Sequence, residues 1–374
     1  MTPTFLQLVN LNLGLGKFCL KDINLSCGRG EYHVLLGPTG SGKSTLMKCV
    51  LGFYPSHGGA VFLNGQDVSR RRPEERRIGY VPQNYSLFPH LDVEKNIRFG
   101  LHGAGGADAD RIVDRLCDIL GINGLRSRAI ANLSGGERQK VALARALAIA
   151  PDMVCLDEPF SSIDEGAKRL LWVEMKKIIQ EIGITAFHIT HNLEEAYNMG
   201  ERLSVLLDGQ LHQSGPKQEI FERPATCDVA RFLNYRNIFT GTAHTHSDGT
   251  RIDTDRFSVV VSKKIAPGTR ATFCVRQQDI KILKPDKTLK PALSHNRLSG
   301  RIVSVFPFPE YCMVCFQISG SSQAHDLEIK LPPYLRERHD LYEGKEISVA
   351  FWEPSIILFD PKIRDYSMFG EEKY

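Results

Sequence analysis

Up to about residue 235, apolar residues fall into short dense runs separated by stretches with a helical period. The runs predict strands at Phe5–Val9, Tyr32–Leu36, Ala60–Leu63, Ile78–Val81, Met153–Leu156, Thr185–Ile189 and Leu203–Leu207. The periodic stretches predict helices beginning near Gly42, Asp92, Asp108, Ser134, Glu165 and Asn192. Strands alternating with helices specify an α/β domain with a largely parallel sheet. From about Ser86 to Asn132 the pattern is helical with no clear strand, and it contains the Gly-rich loop His102–Ala107. It reads as a helical insert. The helical period persists past Pro224 to about Tyr235 and then fades. From Asn237 onward short apolar runs broken by Gly, Pro and Ser read as β structure. This tail echoes itself. Asn237-Ile-Phe-Thr-Gly241 resembles Asn296-Arg-Leu-Ser-Gly300, and Asp279–Leu283 resembles Ser355–Phe359. Two related β units, the second with an insertion, account for the echo. The expected domains are 1–235, with its helical part at about 86–132, and 236–374.

Composition narrows the class. The 374 residues are 42% apolar and 24% charged, the balance of an ordinary globular protein. A net charge of +4 is too small to indicate a nucleic-acid binder. Apolar runs such as Val141–Ala150 fall well short of the roughly 18 residues a membrane span needs. Met1–Asn10 lacks a charged leader followed by an apolar core, so the expectation is a soluble cytoplasmic chain. Nine scattered cysteines fit reduced thiols better than a disulfide framework. The lone pair Cys312-x-x-Cys315 lies in a strand-like run, where i and i+3 point to opposite faces, and is expected to be structural. Arg70–Arg77 mixes both signs and reads as an exposed loop.

The chemistry concentrates in three motifs. Gly37-Pro38-Thr39-Gly40-Ser41-Gly42-Lys43-Ser44 matches G-x-x-x-x-G-K-[ST], follows the run Val34–Leu36 and precedes a helical run. Gly40 and Gly42 let the backbone curl and aim its N–H groups at phosphate oxygens. The helix N-terminus adds partial positive charge. Lys43 supplies a charge for the outer phosphates, and Ser44 offers a hydroxyl to Mg²⁺. The segment Gly37–Thr45 is therefore the candidate nucleotide cradle, with Thr45 as its last member. In the second motif, Met153-Val-Cys-Leu-Asp157-Glu158, an apolar strand delivers two acids to its C-terminal end, where open α/β sheets bind ligands. Asp157 is a candidate Mg²⁺ ligand through water, and Glu158 is placed to polarise an attacking water. The third motif is Leu133-Ser134-Gly135-Gly136-Glu137-Arg138-Gln139. Ser134 and Glu137 have capping-box spacing, and the two glycines leave the first helical turn bare for an anion.

This third motif resembles the signature of ATP-binding-cassette (ABC) ATPases, and the resemblance covers about 1–235. It implies an α/β P-loop ABC ATPase domain with a helical subdomain, followed by an all-β domain of tandem small barrels of the TOBE type. It also implies roles residue by residue. Gln83 matches the glutamine that senses Mg²⁺ and links to a transmembrane partner; Asp164 lies in the segment Ser161–Asp164 that matches the D-loop; His191 matches the switch histidine. Ser134, Gly135, Gly136, Gln139 and Asp164 join the nucleotide site by closing over ATP held by a second cassette, so a homodimer is implied. Glu158, His191, Gln83 and Lys43 are the implied catalytic set; Ser44, Gln83 and Asp157 the implied metal set. The aromatic that stacks on adenine in such proteins is missing from its place near Gly14 and Leu15, leaving Phe18 as the nearest aromatic.

Tyr85–His90, Asp208–Gly215 and Pro216–Pro224 resemble the importer branch, which implies membrane permease subunits, indirectly a substrate-binding protein, and a place on the cytoplasmic face of the membrane. Lys17–Leu25, Gly30–Tyr32 leading into Leu35–Gly40, and Gln83–His90 look most like molybdate and tungstate importers. Sulfate, iron, spermidine and sugar importers are the alternatives. An ATPase acting on DNA or ribosomes is disfavoured by the single cassette and short insert, and a regulator without turnover by the presence of Glu158 and His191. In the tail, Arg276, Lys281, Arg297 and Arg301 are candidates for holding an oxyanion; the plainer reading is solvated charges on β surfaces.

Overall fold

The computed structural model describes residues 3–101, 106–283 and 296–359. Residues 102–105 of the Gly-rich loop lie outside that set. The chain divides into two compact units, 1–222 and 223–374.

In the first unit, β3 (Tyr32–Leu36), β6 (Ile78–Val81), β7 (Met153–Asp157), β8 (Thr185–Thr190), β9 (Arg202–Leu207) and β10 (Gln210–Pro216) form one sheet in the order β10-β9-β3-β8-β7-β6. All neighbours are parallel except β9 and β10. β3, β7 and β8 are buried along their whole length, as their continuous apolar runs require. A second, antiparallel sheet is built from β1 (Thr4–Leu15), β2 (Phe18–Gly28), β4 (Gly58–Leu63) and β5 (Gln66–Asp67), in the order β2-β1-β4-β5. Its inner face packs with α1 (Lys43–Leu51) against Met153, Cys155, Phe187, Ile189 and Leu206 of the parallel sheet. Leu46, Met47 and Val50 of α1 are fully buried there. Truncating one such residue to Ala typically costs about 2–5 kcal/mol.

The antiparallel sheet was only partly legible. The sequence pattern predicts Phe5–Val9, whereas β1 runs to Leu15 and pairs with β2, which the pattern does not predict at all. The alternation is broken by bulges at Asn10 (φ 46°) and Asp22 (φ 48°). Reciprocal hydrogen bonds hold the bulges: Asn10 N–H and Asn24 Nδ2 donate to each other's side-chain oxygens, as do Asp22 N–H and Asn12 Nδ2, at 3.0–3.1 Å.

The stretch 86–132 carries α2 (Val93–Phe99), α3 (Ala107–Ile119) and short 3₁₀ turns. α4 (Gly135–Leu147), α5 (Glu165–Ile182), α6 (Leu193–Met199) and α7 (Lys217–Glu222) complete the unit.

The second unit opens with α8 (Cys227–Phe232) and continues as two antiparallel five-stranded sheets. One has the order β13-β12-β11-β14-β20, from β11 (Asn237–His246), β12 (Gly249–Asp253), β13 (Ser258–Val261), β14 (Arg270–Val275) and β20 (Ile356–Leu358). The other is β15-β19-β16-β17-β18, from β15 (Ile280–Ile282), β16 (Arg297–Pro307), β17 (Cys312–Ile318), β18 (Leu327–Leu331) and β19 (Glu346–Phe351). The internal echo has a structural basis. β11 and β16 occupy matching central places, and the final strands of the two repeats are exchanged: β15 pairs with β19, and β20 with β14. The second repeat's extra length is spread over its first three connections, the longest of which, 332–345, holds α9 (Pro333–Arg338). Two equivalent asparagines tie each repeat to the other. Asn237 exchanges two hydrogen bonds with the backbone of Glu328, at 2.8 and 2.9 Å, and Asn296 does the same with Val260, at 2.6 and 3.0 Å. A single core, with Phe239, Phe257, Phe273, Phe316 and Phe351, fills the unit.

All nine cysteines are free thiols, and Cys312 and Cys315 are buried. Among the described residues no helix is long and apolar enough to cross a membrane.

Candidate nucleotide site

β3 ends at Leu36 and α1 begins at Lys43, so residues 37–42 make the turn between strand and helix. Gly42 takes φ 101°, and a Cβ there would overlap the Phe18 ring. A Cβ on Gly37 would overlap the Leu206 carbonyl oxygen. The loop is therefore shaped by its supports and accepts only glycine at these two points. The first turn of α1 has no side-chain cap and no acid, which leaves its N–H groups and positive end open to an anion. Lys43 Nζ donates to the Gly37 and Pro38 carbonyls, both at 2.8 Å, so the lysine curls back over its own loop. Burial lowers its pKa, against the pull of Glu158 and Asp157. Phe18 packs under the loop, against Gly42 and near Gly209, and belongs to the edge of the core.

Two adjacent carboxylates stand at the C-terminal end of β7, each with two partners. Asp157 Oδ1 accepts from Ser44 Oγ at 3.3 Å, and Oδ2 accepts from Tyr80 OH at 3.2 Å. Burial raises the Asp157 pKa, and these two hydrogen bonds oppose it. Glu158 Oε2 accepts from Gln83 Nε2 at 3.4 Å, and Oε1 lies 3.0 Å from His191 Nδ1. The Glu158 backbone is left-handed, φ 43°, and its N–H is held by the Ile189 carbonyl at 3.0 Å. A non-glycine residue in that region is strained, and here the strain turns the carboxylate next to a half-exposed histidine. Lys43, Ser44, Gln83, Asp157, Glu158 and His191 thus converge, although they come from four separate stretches of chain.

The remaining predicted residues gather around the start of α4. Ser134 caps the helix: its N–H donates to Glu137 Oε2 at 2.7 Å, and its hydroxyl accepts from Glu137 N–H at 3.3 Å. A Cβ on Gly135 would crowd the Ser162 carbonyl, so the start of α4 lies against the segment 161–164. Asp164, at the N-cap of α5, is exposed and makes no side-chain cap bond. Gln139 is fully buried, and neither of its amide atoms has a hydrogen-bond partner.

Sequence reasoning did not single out Tyr80. Its only signals were its place on β6 and its proximity to Gln83. In the tail, Arg276 pairs with Asp279 at 2.7 Å, Arg301 donates to Gln317 at 2.9 Å and Arg297 to Ser348 at 3.1 Å. Elsewhere Cys27, Glu31 and His33 come together at the start of β3, the end away from the phosphate loop. There both imidazole nitrogens are engaged, by Glu31 and Ser204 at 2.8 Å, and Arg202 stands 3.8 Å from Glu31.

A glycine-supported phosphate loop beside paired strand-end acids defines a nucleotide-binding α/β protein. The chain belongs to the ABC transporter family, whose model matches residues 20–161. It is 40% identical to the molybdate/tungstate import ATP-binding protein WtpC of Thermococcus kodakarensis, over 74% of this chain and 82% of that one. The WtpC of Pyrococcus abyssi is 34% identical over 92% of this chain and 96% of its own length. The Fe(3+) ions import ATP-binding protein FbpC of Streptomyces coelicolor is 36% identical over 83% and 88%. Among solved structures, cbiO1 of Clostridium perfringens, part of the ABC transporter complex cbiONQ, matches with a TM-score of 0.55 at 26% identity, over 62% of this chain and 95% of that one.

Proposed function

We propose that the chain hydrolyses ATP, with Mg²⁺ as cofactor, to drive uptake of an oxyanion, molybdate or tungstate, through a separate membrane permease. The observation that carries the chemistry is the division of labour between the two adjacent acids. Asp157 faces the phosphate loop through Ser44, and Glu158 faces Gln83 and His191. A hydroxyl and a carboxylate 3.3 Å apart are hard oxygen donors that suit a small, well-hydrated divalent cation. Ser44, Asp157 and Gln83 are the residues to hold it. Bound Mg²⁺ supplies charge neutralisation on the β- and γ-phosphates. The Gly37–Thr45 segment cradles the phosphates, and Lys43 exchanges its two carbonyl partners for phosphate oxygens. Glu158 takes a proton from the attacking water as the β–γ bridging bond breaks, and His191 and Gln83 hold its two oxygens in place.

Ser134, Gly135, Gly136, Gln139 and Asp164 serve a second copy, so that two chains close head to tail over two ATP molecules. Likeness to import ATP-binding proteins supports permease partners, an accompanying substrate-binding protein and a peripheral place on the cytoplasmic membrane face. Similarity to three or more WtpC proteins favours the molybdate and tungstate assignment over iron or spermidine. The test is uptake by vesicles holding the permease and this chain, with phosphate release measured alongside. Tungstate uptake that needs ATP supports the proposal. Uptake of Fe(III) or spermidine instead replaces the solute and keeps the ATPase. Absence of ATP hydrolysis overturns the reading.

A further inference from the structure

We propose that Tyr80 is a positioning residue for the cation site: its phenol pins one oxygen of Asp157 so that the other is presented to the divalent ion on the bound nucleotide. The inference rests on the nucleotide-site reading above and adds a residue to it.

β6 and β7 run parallel with Tyr80 opposite Cys155, so Tyr80 lies on the sheet face that also carries Cys155 and Asp157. Its hydroxyl donates to Asp157 Oδ2 at 3.2 Å, while Ser44 donates to Oδ1 at 3.3 Å. The two carboxylate oxygens are thereby made unequal. Oδ2 is tied to the sheet, and Oδ1 faces the phosphate loop. The ring is held by two sets of contacts. It packs against the core cluster, and Phe53 meets it edge-on with centroids 6.0 Å apart and planes at 65°. Such bracing fixes the direction of the O–H, which is what a group that orients a metal ligand needs. Three residues on, Gln83 donates to Glu158. One segment of chain therefore supplies a donor to each acid. Without the hydroxyl, a buried carboxylate loses a partner and gains freedom to turn about its last torsion.

The test is Tyr80→Phe in the full chain, which keeps the ring and its packing. Affinity for a fluorescent ATP analogue is titrated in Mg²⁺ and in EDTA, and Mn²⁺ binding to the nucleotide complex is followed by electron paramagnetic resonance. The expected result is unchanged affinity in EDTA, with the metal-dependent gain reduced on the order of ten-fold. Half-saturating Mg²⁺ for turnover rises by a similar factor, and kcat at saturating Mg²⁺ changes less. Tyr85→Phe, which removes another buried phenol, bonded to the Pro159 carbonyl at 3.3 Å, leaves the gain intact. Equal losses in Mg²⁺ and EDTA would show a brace for the fold and overturn the proposal, as would a variant with the full metal-dependent gain. A wild-type chain whose nucleotide affinity ignores metal overturns the nucleotide-site reading as well.

Discussion

At the scale of single residues, the site is a set of pairings that divide two neighbouring acids between two tasks. Glu158 has Gln83 and His191 as partners and makes no bond to the phosphate loop, so replacing its charge should leave nucleotide binding intact. Glu158→Gln is expected to keep ATP affinity and lose turnover by roughly a hundred-fold or more, the scale of a lost general base. Phosphate release and nucleotide titration check it, and a variant with wild-type turnover would remove Glu158 from the chemistry. Lys43→Ala acts earlier in the cycle, because its ammonium is the cation that curls over the loop. That variant is expected to lose both affinity and turnover, read in the same two assays. Much of this arrangement was expected from the sequence, because the loop motif and the strand-end acids carry local patterns and the family resemblance implied Gln83 and His191. Tyr80 was not. Its meaning lies in contact with Asp157, 77 positions away, and neither residue type nor neighbours betray such a partner.

At the scale of elements, the same division separates what a pattern announces from what only pairing reveals. The capping box on α4 was visible as Ser134 and Glu137 at the right spacing, and the structure makes both bonds. The Ser134 N–H donating to Glu137 holds that carboxyl below its usual range. A lowered acid stabilises the folded chain above its unfolded pKa, and the contribution fades as pH falls through the lowered value. Ser134→Ala keeps that backbone donor and removes only the hydroxyl cap, so it is expected to cost about 1 kcal/mol, seen as a lower melting temperature, whereas Glu137→Gln removes the titrating group and is expected to differ from wild type less in acid than at neutral pH. β2 was invisible because the bulges at Asn10 and Asp22 break the two-residue period on which strand prediction depends. The exchange of β15 and β20 was invisible for another reason, since any antiparallel partner satisfies a three-residue strand equally well. What selects the partner is tertiary. Asn237 and Asn296 each fill a backbone donor and acceptor on the opposite repeat, at Glu328 and Val260. Removing either side chain strands those groups in a partly buried place, at about 1–3 kcal/mol each. Asn296→Ala should therefore lower the melting transition of the β unit, and the double variant with Asn237→Ala should exceed the sum if the two clamps close one structure.

At the scale of the whole molecule, the first unit carries two separate groups of candidate site residues. One surrounds the phosphate loop and the paired acids. The other surrounds the start of α4, where Ser134 and Gly135 lie against the segment ending at Asp164. At the start of α4, beside the Ser134–Glu137 cap, Gly135 and Gly136 carry no side chain over their N–H groups and the positive end of a 13-residue helix, which suit a phosphate. The proposed head-to-tail dimer resolves this by letting each chain complete its partner's site. Closure must then depend on ATP, because the ligand supplies the charge the helix end meets, and opening must follow hydrolysis. Two variants separate binding from closure. With Glu158→Gln, ATP and Mg²⁺ are expected to accumulate a dimer, seen by light scattering during size-exclusion chromatography, because the closed state is not discharged. Ser134→Arg places a bulky cation on the α4 end and removes the cap hydroxyl. It is expected to leave nucleotide affinity of the monomer unchanged and to abolish both the dimer and turnover. If the Ser134→Arg chain hydrolyses ATP at the wild-type rate, each phosphate loop works alone and the shared site is refuted. If Glu158→Gln stays monomeric with ATP bound, closure needs the permease, and the same pair of variants measured on the reconstituted complex decides whether the helix end meets the nucleotide there.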